Sequence, residues 1–111
     1  MSKTTTVKYL EEKGYQRYDN ISQYYDALYQ KKFFDDNGNT KYYINVDHYN
    51  FDNVKMSNEA RKNYEFEYMT QFISKSTNCP INITLFSGWQ IDDVEEHIEM
   101  LYNSGMYKQY E

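Results

Sequence analysis

The chain has 111 residues, a net charge of −5, 40% hydrophobic residues and 19% aromatics, with 14 Tyr against 6 Phe and one Trp. That length fits one domain, residues 1–111, with one modest core, and the aromatic content argues against disorder. The acidic balance disfavours broad binding to a phosphate backbone, the lone Cys79 excludes an intrachain disulfide and multi-thiolate zinc sites, and no apolar run approaches a membrane span.

The first residues, through Thr6, lack the apolar stretch of a signal peptide. Together with the single cysteine this predicts a cytoplasmic protein. Thr5 or Thr6 can cap a short helix over Val7 to Lys13, which Gly14 stops as a left-handed residue. Tyr15 to Asn20 reads as a connection.

The segment from Tyr24 to Phe34 and the run from Tyr42 to Tyr49 flank Asn37-Gly38, the strongest short-range hairpin signal. A two-residue turn there sets Phe33 opposite Tyr42, Lys31 opposite Ile44 and Tyr29 opposite Val46. Ala27, Tyr29 and Phe33 then join Ile44 and Val46 on the core side. A three-residue turn with a bulge at Gly38 is the competitor, and it would bring Leu28 and Phe34 inward.

Asn50 to Asn63 is polar and reads as a long loop with room for one helical turn. The next strand is expected over Tyr64 to Phe72, where Tyr64, Phe66, Tyr68 and Phe72 alternate with Glu65, Glu67, Met69 and Gln71. Ser74 to Pro80 makes a loop, and Ile81 to Phe86 is a fourth strand with apolar residues at every second position. The final helix is expected from about Ile91 to Asn103. With Gln90 at its boundary, Trp89 and Val94 have the spacing of a hydrophobic staple and Asp93 that of a capping box. Ile91, Val94, Ile98 and Leu101 form its apolar stripe. The expected fold is α+β: a four-stranded antiparallel meander with N- and C-terminal helices on one face, because each strand shows only one apolar face.

In this register the face away from the helices presents Tyr43, Asn45, Asp47, Tyr49, Glu65, Glu67, Asn82 and Thr84. The first four, with Glu65 and Glu67, form the candidate surface for a partner protein. Tyrosine offers contact area at low entropic cost, and the carboxylates steer toward a basic surface. The same residues admit a solvated face with no role. Two other readings stand beside these: stacking of bases on the exposed tyrosines, and a metal-dependent enzyme using Asp47, Glu65 and Glu67.

His48 and His97 share no catalytic spacing and read as satisfied structural histidines. Asp47 and His48 are adjacent on a strand and so point to opposite faces. Cys79, before Pro80, reads as a free thiol. Each glycine is explained by a turn or a helix stop. No catalytic residue, cofactor or metal ligand set is indicated.

Two stretches carry a likeness. One is Gln30-Lys31-Lys32-Phe33-Phe34-Asp35-Asp36-Asn37-Gly38 leading to Lys41-Tyr42-Tyr43-Ile44-Asn45-Val46. The other is Asn82-Ile83-Thr84-Leu85-Phe86-Ser87-Gly88-Trp89 leading through Val94-Glu95-Glu96 to Tyr110-Glu111. They resemble small uncharacterised proteins of phages and prophages in low-GC bacteria. The abundance of Lys, Asn, Ile and Tyr is what an AT-rich genome encodes. The resemblance implies a phage or mobile-element accessory protein, working in the host cytoplasm, and carries over no active-site residues. The expectation is a non-enzymatic protein that binds a host or phage protein, with inhibition of a host or defence protein as one outcome of that binding.

Overall fold

Thr6 is the residue that starts the first helix. Its backbone is extended, and its Oγ1 accepts from Tyr9 N at 3.0 Å, which satisfies an otherwise orphaned amide. Helix α1 runs over Val7–Glu12. Gly14, at φ +95°, closes it as expected: Gly14 N donates to Glu11 O and Tyr15 N to Leu10 O, both at 3.0 Å. This turn sends Tyr15 back into the core beside Leu10. A computed structural model describes residues 3–19, 22–72, 81–85 and 89–105, of which 81–85 and Asn63 are described in backbone only. Cys79, Pro80, Phe86 to Gly88 and the stretch after Gly105 lie outside the described residues.

Five strands follow in meander order, each antiparallel to the next: β1 (Gln16–Asp19), β2 (Tyr25–Phe34), β3 (Thr40–Tyr49), β4 (Phe66–Phe72) and β5 (Ile81–Leu85). The four expected strands are β2 to β5. The segment read as a connection instead contributes β1, which pairs Gln16 with Gln30 and Asp19 with Ala27 at the edge of the sheet.

The β2–β3 register is the one expected, with Phe33 opposite Tyr42, Lys31 opposite Ile44 and Tyr29 opposite Val46. The turn is not the two-residue one. Gly38 N donates to Asp35 O, Asp35 N donates to Asn39 O, and Gly38 has φ +82°, the geometry of a three-residue loop with a left-handed glycine. Asp35 Oδ1 also accepts from the amides of Asn37 and Asn39 at 2.9 Å each. Phe34 then pairs with Thr40, and a register shift before Phe33 restores the expected alignment. Two irregularities cancel, so Ala27 and Tyr29 reach the core and Phe34 stays exposed.

The β3–β4 connection carries a helix rather than a plain loop. Helix α2 spans Asn58–Tyr64, and Ser57 Oγ accepts from Ala60 N at 3.1 Å to start it. It continues to a C-cap at Glu65, so β4 begins at Phe66 and not at Tyr64. From there, burial alternates without exception through Phe72.

Helix α3 spans Ile91–Asn103 and buries Ile91, Val94 and Ile98 completely. With Leu10, Tyr15 and the inward strand residues Ala27, Tyr29, Tyr42, Ile44, Val46, Phe66, Tyr68 and Phe72, they form one core. Both terminal helices therefore cover the same face of an α+β sheet, as the one-sided strand patterns require. Each fully buried aliphatic side chain is worth roughly 1.5–3 kcal/mol of transfer free energy. Among the described residues no helix is long and apolar enough to cross a membrane.

A core this rich in tyrosine must place its phenols. Three of them meet carboxylates of α3. Tyr9 OH donates to Asp92 at 2.7 Å, Tyr15 OH to Glu95 at 2.9 Å, and Tyr42 OH to Glu99. Lys13 pairs with Asp92 and Glu95, and Lys41 with Glu99. Burial, reinforced by Glu95, drives the Tyr15 phenol far above its ordinary pKa; for Tyr42, burial and the bond to Glu99 do the same. In return, Lys13 holds the Asp92 carboxyl below its usual range, and Tyr42 with Lys41 does so for Glu99.

Candidate binding face

Strand parity assigns the outer face. Opposed residues share a face, so Gln16, Gln30, Asn45, Met69 and Thr84 lie in one row across the sheet, and Tyr18, Leu28, Asp47 and Glu67 in the next. Lys32, Tyr43, Gln71 and Asn82 make a third row, placed by the backbone register. For Asn82 and Thr84 the row is as far as the description goes.

Four of the candidate residues, Tyr43, Asp47, Tyr49 and Glu67, stand on this face, and the last three cluster at one end of it. Asp47 lies directly opposite Glu67 across the β3–β4 ladder. Tyr49 OH donates to Glu67 Oε2 at 3.3 Å. Tyr25 joins them. Its ring packs on Tyr49 with centroids 4.9 Å apart, and its OH donates to the same Glu67 oxygen. Burial pushes the phenols of Tyr25 and Tyr49 above their ordinary pKa, with Glu67 adding to it. At the other end of the face, Lys32 Nζ sits 5.8 Å from the Tyr43 ring centroid.

Tyr25 was not foreseen. A regular strand with Ala27 and Tyr29 inward would send Tyr25 inward too. A bulge between Tyr25 and Ala27 reverses the parity, so Tyr25 pairs with Tyr49 on the outer face. The extra residue is Asp26, which has no signature in the sequence beyond its place before Ala27.

Two candidates are corrected. Asn45 lies on the outer face but is only 5% exposed, because it sits mid-sheet on the central strand and Gln30 Nε2 donates to its Oδ1 at 2.8 Å. It supports the face from within and offers a partner no accessible surface. Glu65 is not on the sheet. As the C-cap of α2 it turns to His48, with Oε1 3.1 Å from Nε2. Asp26 Oδ1 holds the other ring nitrogen at 2.8 Å, and Phe66 and Phe51 pack edgewise on the ring. His48 thus ties the β2 bulge, the end of β3 and the end of α2 together, on the opposite side of the sheet from Asp47. The expected convergence of Asp47, Glu65 and Glu67 does not form. No group of three or more His, Cys, Asp and Glu side chains positioned for a metal occurs among the described residues. His97 lies against Trp89, with ring centroids 5.3 Å apart, beside the apolar stripe of α3.

The arrangement suits recognition of a cation. Two opposed carboxylates supply charge, and two adjacent tyrosine rings supply a flat, π-rich flank for a guanidinium or ammonium group. A cleft between Thr5, Glu65, Phe66, Tyr68 and Trp89 holds about 100 Å³, while two depressions open to solvent are wider: about 340 Å³ beside Gln16, Tyr18, Gln30 and Lys32, toward the β1 edge of this face, and about 380 Å³ beside Gln23, Tyr24 and Asn53. Scans against protein-family models, curated proteins and solved structures found no match to this chain.

Proposed function

We propose that this chain is a binding protein that captures another protein through its outer sheet face, a basic segment of the partner lying over Asp47 and Glu67 between the rings of Tyr25, Tyr43 and Tyr49. The observation that carries the reading is the opposition of Asp47 and Glu67. Two carboxylates placed directly across an antiparallel ladder concentrate negative charge at one point of the face, and that charge attracts a cationic side chain of a partner. The tyrosines supply contact area with few rotors to immobilise. Tyr25 and Tyr49 also hold Glu67 in place by their hydrogen bonds. The likeness of residues 30–38 with 41–46, and of 82–89 with 94–96 and 110–111, to small phage and prophage proteins is what suggests a mobile-element accessory protein acting on a host or defence protein in the host cytoplasm.

The test is capture with the tagged chain and with the Asp47→Lys, Glu67→Lys double variant, from cells that carry the protein naturally. The variant's folding is checked by circular dichroism. A partner that the unmodified chain retains, that salt releases, and that the folded variant loses supports the face. Retention by the folded variant at the same salt shows that the partner binds elsewhere. Binding of single-stranded nucleic acid by the unmodified chain at physiological salt replaces this reading with base stacking on the tyrosines.

A further inference from the structure

Among the described residues, strand β1 has β2 as its one neighbour in the sheet, and all four of its residues are exposed. Its other edge therefore presents backbone amides and carbonyls that are ready to pair with another strand. Proteins commonly defend such edges with charge of one sign. Here the charges alternate about a central tyrosine: Arg17, Tyr18, Asp19. Arg17 and Asp19 lie on the helix side of the strand, aligned with Tyr29 and Ala27, and bond to each other at 2.5 Å. Tyr18, 43% exposed, lies on the outer side next to Leu28.

We propose that β1 pairs antiparallel with β1 of a second copy of this chain, about a two-fold axis through Tyr18. Charge selects this register. With the axis at Tyr18, Arg17 of each copy faces Asp19 of the other, giving two opposite-charge pairs on one side and a Tyr18–Tyr18 contact on the other. An axis at Arg17 or Asp19 opposes like charges. An axis between Arg17 and Tyr18 opposes a charge to a phenol. Directly opposed side chains in a ladder stand about 4.5–5.5 Å apart at Cβ, close enough for each guanidinium to exchange its own carboxylate for that of the second copy. The axis is perpendicular to the sheet, so the two sheets join into one with both outer faces on the same side. The inference is independent of what binds that face.

Four residues a side bury far less than the roughly 1,200–2,000 Å² of a stable complex. The dimer is therefore weak and reversible, formed at about 0.1–1 mM. Sedimentation equilibrium on the full chain, from about 10 µM to about 1 mM, is expected to show a reversible monomer–dimer system. Arg17→Asp alone and Asp19→Arg alone each weaken the dimer by about tenfold or more, because like charges then face each other across the axis. Mixing the two single variants in equal amounts restores association, since each introduced charge meets its opposite in the other chain. Circular dichroism and thermal melts report whether each variant is folded. A chain that stays monomeric throughout this range overturns the proposal. So does a dimer that both single variants leave unchanged, or a mixture that associates no better than either variant alone.

Discussion

Thr5 does for α3 what Thr6 does for α1, from 86 residues away in sequence. Gln90 is the N-cap of α3, but its own side chain makes no capping bond. Instead Gln90 Oε1 accepts from Thr5 N at 2.6 Å, and Ile91 N donates to Thr5 Oγ1 at 2.7 Å. Tyr68 Oη stands 3.2 Å from the same Oγ1 and donates to the Trp89 carbonyl at 3.0 Å. Thr5 is 4% exposed and Ile91 fully buried, so the hydroxyl partners a buried amide. Thr5→Val keeps the shape and removes the acceptor. The Ile91 amide is then left buried and unpaired, which costs about 1–3 kcal/mol. Taking about 2 kcal/mol as the centre, the melting temperature falls by roughly 8 °C for a chain of this size. Thr5→Ser, which keeps the oxygen, loses less than half of that. Thr6→Val removes an exposed cap and costs about 1 kcal/mol. Urea denaturation followed by circular dichroism and by the fluorescence of Trp89, which adjoins the bond, measures all three. If Thr5→Val costs no more than Thr6→Val, or Thr5→Ser costs as much as Thr5→Val, the hydroxyl does not hold α3.

Two further outcomes are expected. Gly38→Val places a β-branched residue at φ +82°; a Cβ there meets nothing within 4 Å, so the cost, about 1–3 kcal/mol, is backbone strain alone and shows as a lower urea midpoint. Ultraviolet titration of the phenols should show Tyr15 and Tyr42 ionising only as the chain unfolds, and the same holds for Tyr68, which burial has pushed up to about 12. Their pKa is raised in the folded state, so the stability they carry is intact below about pH 10 and declines as pH rises beyond it. Normal ionisation of every tyrosine in a chain that keeps its circular dichroism would refute these burials.

The parts of the fold that were legible are those where one face is buried. Ala27, Tyr29, Ile44 and Val46 have a parity that a single-residue slip would reverse, so the register followed from the pattern even though the turn type did not. Ile91, Val94 and Ile98 gave α3 its boundaries for the same reason. What escaped was held by the backbone alone or by contacts between distant segments. Strand β1 buries no side chain, so its polar residues show no period. Helix α2 announced itself only through Ser57 ahead of Asn58-Glu59-Ala60, a capping signal followed by good helix formers. Tyr64 and Glu65 happen to continue the alternation of β4 backward into that helix, so the pattern alone puts Glu65 on the binding face. The acidic residues of α3 show no pattern that names their partners; the phenols and lysines that engage Asp92, Glu95 and Glu99 are 57 or more residues away.

Those contacts bear on how α3 finds its position. Asp92, Glu95 and Glu99 follow one another at steps of three and four residues, about one helical turn each. Each finds a different phenol on a different part of the chain: Tyr9 on α1, Tyr15 after its end, Tyr42 on β3. An apolar stripe such as Ile91, Val94 and Ile98 tolerates small rotations and shifts along its groove. Three phenol–carboxylate bonds do not, because a slip of one residue swings every carboxylate by about 100° and moves it about 1.5 Å along the axis. The tyrosines that a leaner core would replace with phenylalanine thus act as a vernier, with three marks that align in only one setting of the helix.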